Sequence, residues 1–144
     1  IEVSIVPGVT AALGAAASLK LPLTQRDRAR RLQFVTAHAQ NGRLPADLDW
    51  RALCDPAAAT AVYMGVHTLP DLLRHLLEHG IDPQTPALLV ESATWPQERR
   101  IDGTVANLAA QVAAAKPSGP CLVLIGSVFG KVTDSVRTEA IAGA

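Results

Sequence analysis

Apolar and polar positions divide this chain into short apolar runs and longer stretches with helical spacing. Residues 2–6, "EVSIV", form an apolar-led run that Pro7-Gly8 ends, which predicts a strand and a tight turn. Thr10 stands where its hydroxyl could cap a helix over about 11–20, a stretch of Ala, Leu and Gly stopped by "LPLT". Further strands are predicted at 32–36 ("LQFVT"), 60–64 ("TAVYM"), 86–91 ("PALLVE"), 98–104 ("ERRIDGT") and 121–128 ("CLVLIGSV"). The polar 98–104 run suits a sheet edge, and the nearly continuous apolar 121–128 run suits burial on both faces. "PADLDWRALCDP" reads as a short helix between prolines. In "HTLPDLLRHLLEHG", Leu69, Leu72, Leu73, Leu76 and Leu77 recur at helical spacing, with Pro70 in the first turn and Gly80 as the stop. "VANLAAQVAAAK" places Val105, Leu108, Ala109 and Val112 on one face.

Alternating strands and helices predict an α/β domain with helices packed on one sheet. The step from 86–91 to 98–104 across "SATWPQ" is short enough for a hairpin, and other connections fit parallel crossovers. The expectation is a mixed sheet of about five strands flanked by helices. Residues 1–130 carry the pattern; 131–144, "KVTDSVRTEAIAGA", carry none and are expected to be a partly disordered tail.

Composition narrows the function classes. With 49% hydrophobic and 18% charged residues over 144, the chain has the make-up of one folded domain. A formal net charge of +0 and 3% aromatic residues argue against a general grip on nucleic acid or an anionic membrane. The two cysteines, Cys54 and Cys121, lack zinc-ligand spacing and read as neutral thiols in a reducing, cytoplasmic setting. No basic leader region opens the chain, so no secretory signal is expected.

Candidate chemistry is sparse. "VPGVT" feeds a helix N-terminus but lacks the glycine spacing of a phosphate loop, so it reads as a structural turn. Arg26, Arg28, Arg30 and Arg31 form a basic patch with one carboxylate, Asp27. That patch is either a solvated connector or a set of guanidinium forks for a polyanion or a neighbouring subunit. His75 and His79 are spaced to chelate a metal but have no third ligand, and read as a surface pair. No nucleophile elbow or triad order is visible. The ends of two strands, at Met64-Gly65 and at Ala93, carry small or flexible residues where ligands of open α/β sheets sit.

The blocks "VPGVTAALGAAASLKLPLTQRD", "FVTAH", "LDWRAL", "VYMGVHTLPDLLRHLLEHG", "TPALLVESATWPQERRIDGTVANL" and "LVLIGSV", in this order, resemble the C-terminal half of the tetrapyrrole methylases. The resemblance covers roughly residues 3–130 and lies nearest the members that methylate uroporphyrinogen III. It implies a homodimer of two-lobed subunits. Methyl groups pass from S-adenosyl-L-methionine to ring carbons of uroporphyrinogen III, giving precorrin-2 for sirohaem and cobalamin. It implies that 1–130 is the second lobe, that the family's glycine-rich cofactor lobe is absent, and that this lobe alone is inactive. By the same resemblance Met64, Gly65, Ala93 and Thr94 contact the cofactor, and Pro7 to Thr10 form a lobe-junction turn. Thr24, Arg26 and Asp27 match a Thr-His-Arg-Asp block, with Gln25 replacing His, and "VTAH" replaces Val-Thr-Gly-His. Together with Arg28 that block is expected to meet the carboxylates of the substrate. A sulfonium methyl is already activated, so no triad, no catalytic acid or base and no metal is expected. The alternatives are a non-catalytic dimerisation or nucleotide-binding regulatory domain, or a methyltransferase for another tetrapyrrole.

Overall fold

The computed structural model describes residues 1–130; the expected tail at 131–144 lies outside the described residues. In chain order the elements are α1 (Ala11–Leu19), β1 (Arg31–Thr36), α2 (Trp50–Leu53), β2 (Ala58–Tyr63), α3 (Leu69–Glu78), β3 (Pro86–Glu91), β4 (Arg99–Thr104), α4 (Leu108–Ala115) and β5 (Cys121–Ile125). A 3-10 turn over Ser127–Phe129 follows.

The five strands form one sheet in the order β1-β2-β5-β3-β4. β1 and β2 are parallel; β5 runs antiparallel to both β2 and β3, and β3–β4 is an antiparallel hairpin. The mixed α/β sheet expected from the pattern is therefore present, with β4 at an edge. Burial explains the order. β2, β3 and β5 are apolar on both faces and occupy the centre, while the half-polar β1 and β4 lie outside.

Period-2 alternation in the central strands sorts the core into two layers. Val62, Leu89, Val123 and Ile125 face α3 and α4, meeting Leu69, Leu72, Leu76, Leu108 and Val112. Ala61, Leu88, Val90, Leu122 and Leu124 face α1 and the Ser127–Phe129 turn, meeting Ala12, Ala15, Val128 and Phe129. Alanines let α1 lie close to the sheet. A Cβ on Gly14 would stand 2.9 Å from Thr94 Cγ2, so this helix also touches the turn after β3.

Three expectations need correction. Residues 2–6 form no strand: the first ten residues have no regular structure, and Val3, Ile5 and Val6 are exposed. A strand exists only with a partner to take its backbone hydrogen bonds, and none of the five strands supplies one. Thr10 makes no side-chain cap on α1, because its hydroxyl is bonded to that of Tyr63. The last strand stops at Ile125 rather than 128, where Gly126 takes φ 149° and the chain turns into the 3-10 segment. Leu77 lies in α3 as its spacing predicts, on the exposed side of the helix.

Candidate ligand cleft at the strand ends

β1, β2 and β3 run in one direction, and their C-terminal ends share one edge of the sheet with the start of β5. A cleft of about 730 Å³ opens there, between the turn after β2, the turn after β3 and the Pro117–Pro120 loop. That volume lies within the ordinary range for small-molecule sites, roughly 300–1,000 Å³. Among the described residues no set of three potential ligands stands close enough to hold a metal ion.

The turns lining the cleft are backbone-strained. Met64 (φ 54°), Ser92 (φ 51°) and Thr94 (φ 69°) all occupy the left-handed region, which a non-glycine residue enters at a cost. Met64 presents its side chain outward, 61% exposed. Gly65 beside it is buried, and a Cβ there would come 2.9 Å from Val62 Cγ1 and 3.5 Å from Ala37 Cβ. The turn therefore sits against the sheet at a distance only glycine permits. On the other side, the Trp95 N–H bonds the Ser92 carbonyl (3.0 Å) and the Glu98 N–H bonds the Trp95 carbonyl (2.9 Å). The Glu98 carboxylate accepts the Thr94 N–H (2.5 Å) and the Ser18 hydroxyl of α1 (2.8 Å). Thr94's amide is thereby occupied, whereas the backbone groups of Met64 and Ala93 make no hydrogen bond among the described residues.

Glu91, the last residue of β3, holds the loop on the third side of the cleft from behind. Its side chain is only 6% exposed. One oxygen accepts the Ser118 and Gly119 N–H groups, each at 2.7 Å, and the other accepts Arg99 Nε (2.7 Å) and Nη2 (2.6 Å). The Gly119 amide, the Arg99 guanidinium and the Ser118 amide hold this carboxyl below the usual range. A Cβ on Gly119 would meet Ser92 Oγ at 2.5 Å, so the loop and the turn after β3 are in close contact. Burial pushes the thiol of Cys121, which lines the cleft, upward, and that of Cys54 as well; both are free cysteines.

Met64, Gly65, Ala93 and Thr94 thus gather at one end of the sheet. Thr24, Arg26, Asp27 and Arg28 do not join them. They are exposed on a turn closed by the Gln25–Ala29 bridge, ahead of β1, and Arg28 Nη1 donates to the Ser127 carbonyl (3.2 Å) beyond the C-terminal end of antiparallel β5. A strand's length, roughly 20 Å at ~3.3 Å per residue, separates the two sets. Arg30 Nε donates to the Arg26 carbonyl (2.8 Å), and Arg31 pairs with Asp55. His75 and His79 both stack on Trp50, with ring centroids 4.9 and 5.3 Å away. Sequence reasoning missed Tyr63, Trp95, His38 and His67 at the cleft, and Glu91 behind its loop. The one signal for Glu91 was a carboxylate ending an otherwise apolar strand.

Known proteins share this arrangement. Residues 1–109 match the family model "Tetrapyrrole (Corrin/Porphyrin) Methylases". The chain is 46% identical over 129 residues to a siroheme synthase of Gluconacetobacter diazotrophicus, covering 89% of this chain and 27% of that protein. It is 40% identical over 137 residues to a uroporphyrinogen-III C-methyltransferase of Paracoccus denitrificans, covering 94% and 47%. The chain therefore spans between about a quarter and a half of these relatives. The fold matches a cobalt precorrin-4 methyltransferase (TM-score 0.78, 23% identity, 89% of this chain and 53% of that one). It also matches the uroporphyrin-III C-methyltransferase of Thermus thermophilus complexed with S-adenosylhomocysteine (TM-score 0.67, 32% identity, 86% and 52%). With the family model spanning most of the chain and the same mixed sheet in solved members, this chain belongs to the tetrapyrrole methylase family.

Proposed function

We propose that this chain is the second lobe of an S-adenosyl-L-methionine-dependent C-methyltransferase acting on uroporphyrinogen III, and that its cleft receives the cofactor. The observation that carries this reading is the pairing of two strained turns with uncommitted backbone groups, at Met64 and Ala93, across one cleft. Such groups can read the edge of an adenine, while the exposed Met64 side chain and the apolar walls cover its faces. The residues present fit an adenosyl group: the volume suffices, and the cleft lining includes no Asp, Glu, Lys or Arg that would need a countercharge.

S-adenosyl-L-methionine, when bound, supplies a methyl group already activated on a sulfonium. The work left to these residues is orientation and exclusion of water. Met64 lines one side of the slot, with Gly65 next to it in the turn; Ser92 and Ala93 line the other, with Thr94 next to them; and Glu91 fixes the 117–120 loop. One lobe offers one wall, so the isolated chain is expected to bind the product cofactor weakly and to transfer no methyl group. The loop of Thr24, Arg26, Asp27 and Arg28 lies at the opposite end of the sheet from this cleft, so within the lobe it has no part in the cofactor slot. Among the described residues no helix is long and apolar enough to cross a membrane.

Met64 is the sole methionine in the sequence, so a chain labelled with 13C-methyl methionine has one such resonance. Titration with S-adenosylhomocysteine should shift it, with calorimetry giving the same dissociation constant. No shift and no heat at millimolar ligand would sink the reading.

A further inference from the structure

We propose that Glu98 is a positioning residue for the cofactor: by taking the Thr94 amide it turns the Ala93–Thr94 peptide so that the carbonyl, and not the N–H, faces the cleft. The inference rests on the reading of the cleft as a cofactor half-site, and it names what sets the polarity of one of its two uncommitted turns. Strand pairing does not set it. Ala93 and Thr94 lie beyond the end of β3, where no neighbouring strand takes their backbone groups.

A peptide unit is planar, and this one is trans, so its N–H and its carbonyl point in opposite directions. The Thr94 N–H donates to Glu98 Oε2 at 2.5 Å. The same oxygen accepts the Ser18 hydroxyl of α1 at 2.8 Å, and the Glu98 N–H bonds the Trp95 carbonyl at 2.9 Å, so Glu98 is anchored at both its side chain and its backbone. Neither Glu98 nor Ser18 lines the cleft, whereas Ala93 does. With the N–H committed to the outer side, the Ala93 carbonyl points away from Glu98 and is an acceptor without a partner among the described residues.

The backbone on its own favours the other orientation. Thr94 is held at φ 69°, a genuine outlier for a β-branched residue. Half a turn of the peptide would carry that angle into the ordinary negative range, shed the strain, and put an N–H donor where the carbonyl stands. The Glu98 bond is what offsets the strain, which makes this turn a two-state element held in one state. Adenine presents an exocyclic amino donor where hypoxanthine presents a carbonyl acceptor. An acceptor at Ala93 therefore suits an adenosyl ligand, and a donor there would suit an inosyl one.

The test uses the 144-residue chain, the variants Glu98→Ala, Glu98→Gln and Ser18→Ala, and two probes, S-adenosylhomocysteine and its deaminated analogue S-inosylhomocysteine, with affinities from calorimetry. Wild type should prefer the adenosyl probe by about tenfold, the size of one hydrogen bond exchanged for two facing acceptors. In Glu98→Ala the preference should fall to about threefold or less. Glu98→Gln, whose amide oxygen can still accept the Thr94 N–H, should restore it, and Ser18→Ala should narrow it partway. Amide exchange gives a readout without ligand: Thr94 should exchange slowly in wild type and in Glu98→Gln, and fast in Glu98→Ala. An unchanged preference in Glu98→Ala, an equal loss for both probes as from mere loosening of the turn, or a fast Thr94 amide in wild type would each overturn the inference. Binding of neither probe by wild type would instead strike at the half-site itself, and the Thr94 amide would still decide whether Glu98 holds the peptide.

Discussion

The Tyr63 hydroxyl accepts the Ala12 backbone N–H at 3.1 Å and is bonded to the Thr10 hydroxyl as well, so the last residue of β2 caps the first turn of α1. One orphan amide of the helix is satisfied from across the sheet. Tyr63→Phe keeps the ring against Phe34 (centroids 6.1 Å apart) and removes only the oxygen. The expected loss is about 1 kcal/mol, the ordinary net value of such a bond, or a fall of about 4 °C in Tm. Thermal and urea unfolding of the single variant check it; an unchanged midpoint would show that water caps the helix equally well.

The Glu91 network makes stability depend on pH in a definite sense. Its carboxyl is held below the ordinary glutamate range in the folded chain. Between the folded and unfolded values, the unfolded chain binds the proton and the folded chain does not, so stability rises with pH there. The contribution is complete above the ordinary glutamate value and disappears as pH falls through the folded one. Asp55 and Glu78 are shifted the same way, but Glu78 is exposed and Asp55 half-buried, and both sit in surface pairs that salt screens. Glu91→Gln should flatten the acid limb of the urea midpoint plotted from pH 3 to 7. It should also loosen the 117–120 loop, visible as faster amide exchange at Ser118 and Gly119, whose N–H groups it holds.

Two glycines separate packing from turn geometry. At Gly65 an added Cβ would press on the buried Val62 and Ala37, and Gly65→Ala should destabilise by about 1–3 kcal/mol through overpacking. At Gly8 the same Cβ meets nothing within 4 Å, and Gly8→Ala should stay within about 0.5 kcal/mol. Urea midpoints of the pair decide it, and equal effects would contradict the contact-based account.

These residues also show what a sequence pattern can carry. β2, β3 and β5 are legible because burial on both faces leaves an apolar run, and β4 is legible as an edge because its polar residues have to reach water. "EVSIV" has the same composition as a strand, but strand pairing is a non-local event that composition does not encode, and none of the five strands among the described residues pairs with it. The strand ends at Met64-Gly65 and Ala93 stand out in the sequence as places for a ligand, and only the resemblance attaches a particular cofactor to them. Glu91, Tyr63 and the two histidines depend on sheet order. Only with β5 inserted between β2 and β3 does the Pro117–Pro120 loop stand opposite Met64 and turn a strand end into a cleft.

Met64 combines backbone strain with an exposed side chain, and the two can be varied separately. A left-handed conformation costs a non-glycine residue about 1–2 kcal/mol, which glycine does not incur. Glycine in turn loses about 0.5–1 kcal/mol through the greater freedom of its unfolded chain. Met64→Gly should therefore be more stable than wild type by roughly 0.5–1 kcal/mol, the difference of the two. Met64→Ala keeps the strain and should be close to neutral, because little buried surface is lost at an exposed position. If the side chain covers the cofactor, both variants should bind S-adenosylhomocysteine more weakly by a similar factor, about tenfold for one well-placed apolar side chain. A stability gain in glycine alone with an affinity loss in both would mean that the strain aims the methionine at its ligand. Loss of affinity in glycine only would instead assign the contact to the backbone geometry and not to the thioether.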